Sequence, residues 1–121
     1  MWEKFFFHVR LIIHLIPNSD NELEFVPSEV RNLHSLQILA LRDNNLTALL
    51  TDSQFFARLR ELLIENNFLQ ILPPELSTFD VNSQRHVLRV DGNPLNPELA
   101  DQLRLGLSHL IQYIGTSFYH A

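Results

Sequence analysis

The sequence predicts a mixed α/β fold in which short parallel strands recur along the chain, and three observations support this prediction. Residues 36–49 (LQILALRDNNLTAL) carry leucine or isoleucine at nearly every second position before a pair of asparagines. The same pattern returns 23 residues later, in residues 59–72 (LRELLIENNFLQIL). Near the C-terminus the apolar spacing changes to three and four positions, which is typical of an amphipathic helix.

The repeat continues on both sides of these two segments. Residues 20–30 (DNELEFVPSEV) match it 23 positions earlier, and residues 87–95 (VLRVDGNPL) match it after a longer step of 26. A period of about 20–29 residues with the pattern L-x-x-L-x-L-x-x-N-x-L is the leucine-rich repeat signature. The sequence therefore predicts an α/β leucine-rich repeat solenoid of about 3–4 coils, with parallel strands on its concave face and a C-terminal capping helix.

An asparagine follows the strand of each unit, where the chain must turn away from the sheet. The turn leaves backbone groups that no neighbouring strand can bond, and an asparagine amide supplies both donors and an acceptor for them. We therefore expect a structural asparagine ladder, with no catalytic or ligand role for its members. The predicted members are Asn21, Asn44, Asn67 and Asn93. A second column, formed by Leu33, Phe56 and Phe79, is expected to close the back of the core.

Residues 1–18 form a divergent apolar segment ahead of the repeats, which occupy residues 19–96. The apolar run over residues 5–16 is interrupted by two histidines and an arginine. It is shorter than the roughly 20 apolar residues of a transmembrane helix, and it does not have the pattern of a signal peptide. We expect this segment to supply the strand of an incomplete first coil, with Ile13 and Ile16 at leucine positions. Membrane attachment through the segment is the alternative.

Residues 97–121 are predicted to form a capping helix and a tail. Asn96 followed by Pro97 is a good helix start and Gly115 a good helix end, so we expect one helix of about 18 residues. This helix is expected to cover the last coil, because a terminal coil exposes its core without a cap; docking into a partner's groove is the alternative. Its apolar face consists of Leu99, Leu103, Leu107, Leu110, Ile111 and Ile114.

Composition and charge place the chain among globular proteins and disfavour several classes. Of its 121 residues, 45% are hydrophobic and 19% are charged, which is not the composition of a disordered chain. The formal net charge is −5 and no basic stripe occurs, so nucleic-acid binding is disfavoured. The chain has no cysteine and so lacks the disulfide-bonded caps of secreted repeat proteins. A reducing, cytoplasmic location is therefore expected.

The sequence contains no pattern of residues that supports catalysis or cofactor binding. It has no cysteine nucleophile, no H-E-x-x-H, no phosphate-binding glycine loop and no G-x-S-x-G. The six histidines are scattered, with no pair at the spacing of helical metal ligands. We therefore expect a non-enzymatic protein without a metal or cofactor, whose function depends on its surface.

Side chains between the core leucines of each strand are expected on the concave face, because successive residues of a strand point to opposite sides. This face mixes apolar side chains with charges of both signs. Such a surface commonly binds a protein, and a solvated sheet without a partner has the same character. The predicted partner-binding residues, assigned by register, are Ala40, Arg42, Leu63, Glu65, Arg89 and Asp91.

Three segments of the chain resemble the C-terminal part of the Ras suppressor protein 1 family. They are residues 33–49 (LHSLQILALRDNNLTAL), 59–81 (LRELLIENNFLQILPPELSTFDV) and 96–114 (NPELADQLRLGLSHLIQYI). The resemblance covers roughly residues 19–119. Its specific part is the longer last repeat leading into the C-terminal helix, which looks like the cap of that family.

The resemblance implies a non-catalytic intracellular adaptor acting in Ras signalling and cell–matrix adhesion. It implies binding to the LIM-domain adaptor PINCH in its complex with integrin-linked kinase. The family carries several further N-terminal repeats that have no counterpart here, and residues 1–18 do not resemble it. We therefore keep a truncated paralogue, which retains the fold without the partner, as an alternative. An exposed N-terminal strand edge would also favour self-association.

Overall fold

The computed structural model describes residues 11–14 and 24–119, which form a mixed α/β fold. Its strands form one parallel sheet in which each strand lies beside the strand that follows it in the sequence. Parallel neighbours need a crossover, and each of the three connections here contains a short helix. The strands are β1 (Leu11–His14), β2 (Leu36–Ala40), β3 (Glu61–Leu63) and β4 (Val87–Arg89).

The register of the sheet follows the spacing of the repeated leucines. Leu39 of β2 pairs with Leu62 of β3, and Leu62 pairs with Leu88 of β4. The three leucines lie in the core and expose at most 4% of their surface. The steps of 23 and 26 residues in the sequence are therefore the steps between neighbouring strands, and the longer step carries an added turn over residues 81–85.

The first strand has a different register from the predicted one. The repeat spacing predicted that Ile13 and Ile16 would align with the first two leucines of β2, but Ile13 pairs with Leu39. Ile16 lies outside the described residues. The register shifts between Leu11 and Ile12, where the pairing is irregular. An irregularity of this kind moves every later residue along its partner strand, so a repeat length read from the sequence cannot locate it.

Short helices occupy the connections that follow β1, β2 and β3. They comprise a 3₁₀ helix at Ser28–Asn32, α1 at Ser53–Arg58 and a 3₁₀ helix at Pro74–Thr78. Asp52 caps α1, because its side chain accepts a hydrogen bond from the Phe55 N–H at 3.0 Å. The flanking 3₁₀ helices instead begin after a proline, whose fixed φ suits a helix start.

One continuous apolar core lies between the sheet and these short helices. Phe56 and Phe79 are buried at its back, with ring centroids 6.4 Å apart in an edge-to-face arrangement. Leu33 is partly buried against the same cluster. The predicted column of Leu33, Phe56 and Phe79 therefore does lie against the core, although its first member is only partly covered.

The C-terminal region contains two helices, and the prediction of one continuous helix is wrong. Helix α2 (Pro97–Leu105) and helix α3 (Leu107–Ile114) are separated by Gly106, which has φ 139° and ψ 156°. That conformation is essentially restricted to glycine. Both helices contribute fully buried leucines or isoleucines to the core, and α3 packs against the 3₁₀ helix at 74–78.

The predicted start and apolar face of the C-terminal region have the expected environment. Asn96 caps α2, accepting a hydrogen bond from the Leu99 N–H at 3.0 Å, and Pro97 occupies the first turn. Of the six predicted apolar residues, four are buried and the other two, Leu103 and Leu107, pack partly buried against the core. Over the part of the chain that the structure describes, no helix has both the length and the apolarity needed to cross a membrane.

Candidate functional site

The predicted partner-binding residues lie on the sheet face opposite the core, which we call the outer face. The register aligns Ala40, Leu63 and Arg89 in one row across the three strands. Their neighbours in each strand are core leucines, so alternation places this row on the outer face. Two residues further along each chain segment come Arg42, Glu65 and Asp91, which form the second row.

Two of the six predicted residues are not accessible to a partner. Ala40 is 3% exposed and Leu63 is 6% exposed, although neither belongs to the core cluster. Leu63 lies on a strand with neighbours on both sides, and side chains of adjacent strands are only about 5 Å apart. Ala40 and Leu63 therefore form an apolar floor to the outer face.

Arg42 and Glu65 bond to each other across the ends of β2 and β3. The Arg42 Nε lies 3.1 Å from one carboxylate oxygen of Glu65 and 3.0 Å from the other. The Arg42 side chain is 43% exposed and that of Glu65 is 17% exposed. Partly exposed pairs of this kind contribute at most about 1 kcal/mol to stability. Within the outer face the two charges compensate each other, so this pair presents little net charge to a partner.

Arg89 differs from Arg42 in having no such partner. It is exposed, and its guanidinium makes no hydrogen bond or ion pair to any other residue that the structure describes. Asp91, two residues along on the same side, is also exposed. Arg89 ends β4, the last strand of the described sheet, and Asp91 follows two residues later. The outer face therefore presents one available cation and one available carboxylate beside its apolar floor.

A row of residues in the left-handed conformation lies at the edge of the outer face, and only an indirect signal in the sequence points to it. Asp43, Asn66 and Gly92 have φ values of 59°, 58° and 81°. The Asn66 side-chain amide donates to the Asp43 carboxylate at 2.9 Å. Each of these residues directly precedes a ladder asparagine, and Asp, Asn and Gly are the residues that tolerate this conformation best. Their recurrence before each asparagine was the available sequence signal.

The Asn67 side chain bonds backbone groups of its own turn and of the preceding one. Its Oδ1 accepts from the Leu46 N–H at 3.0 Å, and its Nδ2 donates to the carbonyl oxygens of Leu41, Ile64 and Glu65 at 2.9, 3.0 and 3.2 Å. Asn67 is 3% exposed. Its donors and its acceptor are thus all directed at buried backbone groups, which leaves no group free for a ligand.

Asn93 repeats this arrangement one turn later. Its Oδ1 accepts from the Leu69 N–H at 3.1 Å, and its Nδ2 donates to the carbonyl oxygens of Ile64 and Val90 at 2.9 and 2.8 Å. Asn44, which is 3% exposed, donates to the carbonyl oxygens of Leu41 and Arg42. Asn21, the fourth predicted member, lies outside the described residues. The asparagines at 44, 67 and 93 therefore act on backbone groups at equivalent turns.

The chemistry of the outer face is that of a contact surface. In the described part of the chain, no three His, Cys, Asp or Glu side chains cluster as metal ligands would. The exposed groups are a guanidinium and a carboxylate above apolar side chains, which suit a salt bridge and apolar contact with another macromolecule.

No protein-family model matches the chain, and no curated protein is similar to it at a significant level. The support for a function therefore comes from the residues, from the geometry of the outer face and from the family resemblance of the sequence.

Proposed function

We propose that the chain is a leucine-rich repeat protein that acts as a non-catalytic intracellular adaptor, with the outer face as its binding surface. The support for the repeat assignment is the register of the sheet, in which Leu39, Leu62 and Leu88 pair in sequence order. Further support comes from Asn67 and Asn93, which bond the preceding turn in the same way. Stacked units of this kind commonly bind partners along their strand face.

The binding proposal rests mainly on the accessibility of the Arg89 side chain. It is exposed and unpaired within the described residues, and it lies in register with the buried Leu63 and Ala40. An arginine beside a dry apolar floor is the usual composition of an energetically important contact, because its guanidinium pairs with carboxylates while its stem packs on apolar surface. Arg42 is already held by Glu65 and is therefore the weaker candidate.

The partner is proposed from the resemblance to the Ras suppressor protein 1 family. That resemblance suggests a LIM-domain protein, with PINCH in the integrin-linked kinase complex as the first candidate, and a role in Ras signalling and cell–matrix adhesion. The proposed location is the cytoplasm, at adhesion sites.

The test is a calorimetric titration of the purified chain with the LIM region of PINCH. Arg89→Glu is expected to weaken binding more than tenfold, which corresponds to about 1.4 kcal/mol. The swapped pair Arg42→Glu/Glu65→Arg keeps the ion pair with its charges exchanged, so it is expected to change binding less than threefold. Arg31→Glu, on the 3₁₀ helix at 28–32, is the control for a general loss of positive charge.

Each result has a distinct meaning. Absence of binding by a chain that circular dichroism shows to be folded contradicts the adaptor proposal and favours a fold retained without the partner. Binding that Arg89→Glu leaves unchanged contradicts the assignment of the outer face. The exposed apolar residues Phe68 and Ile71, 56% and 40% exposed, would then be the next surface to mutate.

A further inference from the structure

The turn that precedes β4 is closed by a histidine. The His86 ring stacks on Phe79 with a centroid distance of 4.6 Å and an interplanar angle of 20°. The His86 Nδ1 accepts a hydrogen bond from the backbone N–H of Asp80 at 2.8 Å, and the His86 N–H donates to the Asp80 carbonyl at 3.3 Å. The segment 80–86, which we call the histidine loop, is thus closed by one bond to the imidazole and one backbone bond.

This hydrogen bond fixes the protonation state of the ring. A nitrogen that accepts from an N–H carries no proton, so His86 is neutral with its proton on Nε2. The Asp80 carboxylate is turned the other way and accepts from the N–H and the hydroxyl of Ser83 at 3.2 and 2.7 Å. The acceptor of the Asp80 N–H is therefore His86 alone.

The charges around the ring also disfavour its protonation. Burial lowers the pKa of His86 below its ordinary value of 6.5, and the nearby cations Arg60 and Arg85 lower it further, while Asp80 opposes them.

We infer that the histidine loop is a pH-sensitive latch on β4, closed when His86 is neutral and released when it is protonated. On protonation Nδ1 becomes a donor facing the N–H of Asp80, and the two donors cannot bond each other. The ring must then leave its place or the loop must open. Either movement breaks the hydrogen bond between the Asp80 N–H and the His86 ring and leaves the loop closed by the longer backbone bond alone.

Opening of the histidine loop would also affect the outer face, because β4 directly follows His86 in the chain. Val87, the residue after His86, opens the β3–β4 pairing by donating its N–H to the Arg60 carbonyl at 2.9 Å. Arg89 follows two residues later on the same strand. The inference that acid pH displaces Arg89 and weakens partner binding rests on the proposed function; the latch itself does not.

The latch is tested on the free wild-type chain by NMR between pH 8 and pH 5. At neutral pH we expect the ring nitrogens of His86 to report the Nε2–H tautomer. The ring should then titrate below 6.5, and the protection of the Asp80 amide against hydrogen exchange should fall at least about tenfold with the same midpoint. The amides of Val87 and Arg89 should shift with that midpoint, whereas that of Leu39 on β2 should not.

A matched pair of variants separates the latch from other acid effects. In His86→Asn the side-chain oxygen replaces Nδ1 as an acceptor that does not titrate, so protection of Asp80 should persist to pH 5. His109→Asn, at an exposed histidine of α3, should leave the wild-type titration unchanged. An Nδ1–H tautomer at neutral pH, or a titration of His86 that leaves β4 unmoved, would overturn the inference.

Affinity measurements at two pH values distinguish a failure of this inference from a failure of the proposed function. If the PINCH LIM region binds, its affinity for the wild-type chain should fall at least threefold from pH 7.5 to pH 5.5, and its affinity for His86→Asn should not. If it does not bind at either pH, the proposed function fails. The NMR result alone then decides the latch.

Discussion

The side-chain oxygen of Asn66 fills the space beside Gly92 that a Cβ atom would occupy. A backbone hydrogen bond also joins these two turns, because the Asn66 N–H donates to the carbonyl of Asp91, the residue before Gly92, at 2.9 Å. On its other side Asn66 donates to the Asp43 carboxylate at 2.9 Å. Glycine at position 92 thus allows the backbone after β4 to approach the Asn66 side chain closely.

Gly92→Ala is expected to destabilise the chain through two separate costs. Gly92 has φ 81°, which strains any residue with a Cβ, and the added methyl would collide with the Asn66 amide. Together we expect a loss of about 1–3 kcal/mol in the free energy of unfolding, measured by urea denaturation.

The double variant Gly92→Ala/Asn66→Gly separates these costs. Removing the Asn66 side chain relieves the collision and leaves the backbone strain, so part of the lost stability should return. A double variant that is no more stable than Gly92→Ala would show that the close approach of the two residues is unimportant.

Asn67→Ala is expected to be among the most destabilising single substitutions in the chain. It leaves the buried Leu46 N–H without its acceptor and removes the donor to the Leu41, Ile64 and Glu65 carbonyls. We expect a loss of about 3 kcal/mol, because each unsatisfied buried group costs about 1–3 kcal/mol. Asn93→Ala should cost less, since Asn93 is only half-buried and water can replace part of its bonding.

The control for the ladder is Asn82→Ala, at an exposed asparagine of the histidine loop. It should change stability by less than about 0.5 kcal/mol. Equal losses for Asn67→Ala and Asn82→Ala in the same denaturation series would contradict the structural role of the buried asparagine.

Gly106→Ala tests the break between the two C-terminal helices. A Cβ at 106 would meet only His109, at an ordinary 3.6 Å, so the cost arises from the backbone conformation and not from a collision. Alanine also favours a continuous helix, which would turn Leu110 and Ile114 away from the core.

We expect Gly106→Ala to lower the unfolding free energy by about 1–3 kcal/mol, while helical circular dichroism is unchanged or higher. Gln112→Ala, at an exposed position of α3, should stay within about 0.5 kcal/mol of the wild type. A stabilised Gly106→Ala chain would mean that one straight helix covers the core equally well.

Tyr119 attaches the C-terminal tail to the loop before the 3₁₀ helix at 74–78. Its hydroxyl accepts from the Leu72 N–H at 2.9 Å and donates to the Leu72 carbonyl, and the residue is 7% exposed. Tyr119→Phe should cost about 1–3 kcal/mol because both backbone groups lose their partner.

The same hydroxyl makes the effect depend on pH. Burial raises the pKa of Tyr119 above its ordinary value of 10, with the charge of Glu98 adding to it and the bond to Leu72 opposing it. A raised pKa in the folded state gives stability that is present below pH 10 and is lost as the pH rises through the folded pKa. The stability difference between wild type and Tyr119→Phe should therefore shrink above pH 10 in urea denaturation. A difference that stays constant to pH 11 would contradict the buried hydroxyl.

The leucine pattern alone predicts β2, β3 and β4, their order and their core-facing leucines. The leucine pattern locates Leu39, Leu62 and Leu88 because alternation in a strand is a local property of the backbone. The ladder asparagines at 44, 67 and 93 were identifiable for a related reason, since a turn after a strand leaves the same backbone groups unbonded in every unit. Asn96 as a helix cap is likewise a local signal.

Other features of the molecule depend on contacts between segments that are distant in the sequence. Ala40 and Leu63 satisfy the pattern of accessible positions, yet both are buried, because burial depends on side chains far away in the sequence. The pairing of Ile13 with Leu39, the break at Gly106 and the engagement of Arg42 by Glu65 depend on distant contacts in the same way. The local sequence determines to which side of the sheet a side chain points. The packing of other segments determines whether that side chain is accessible to a partner.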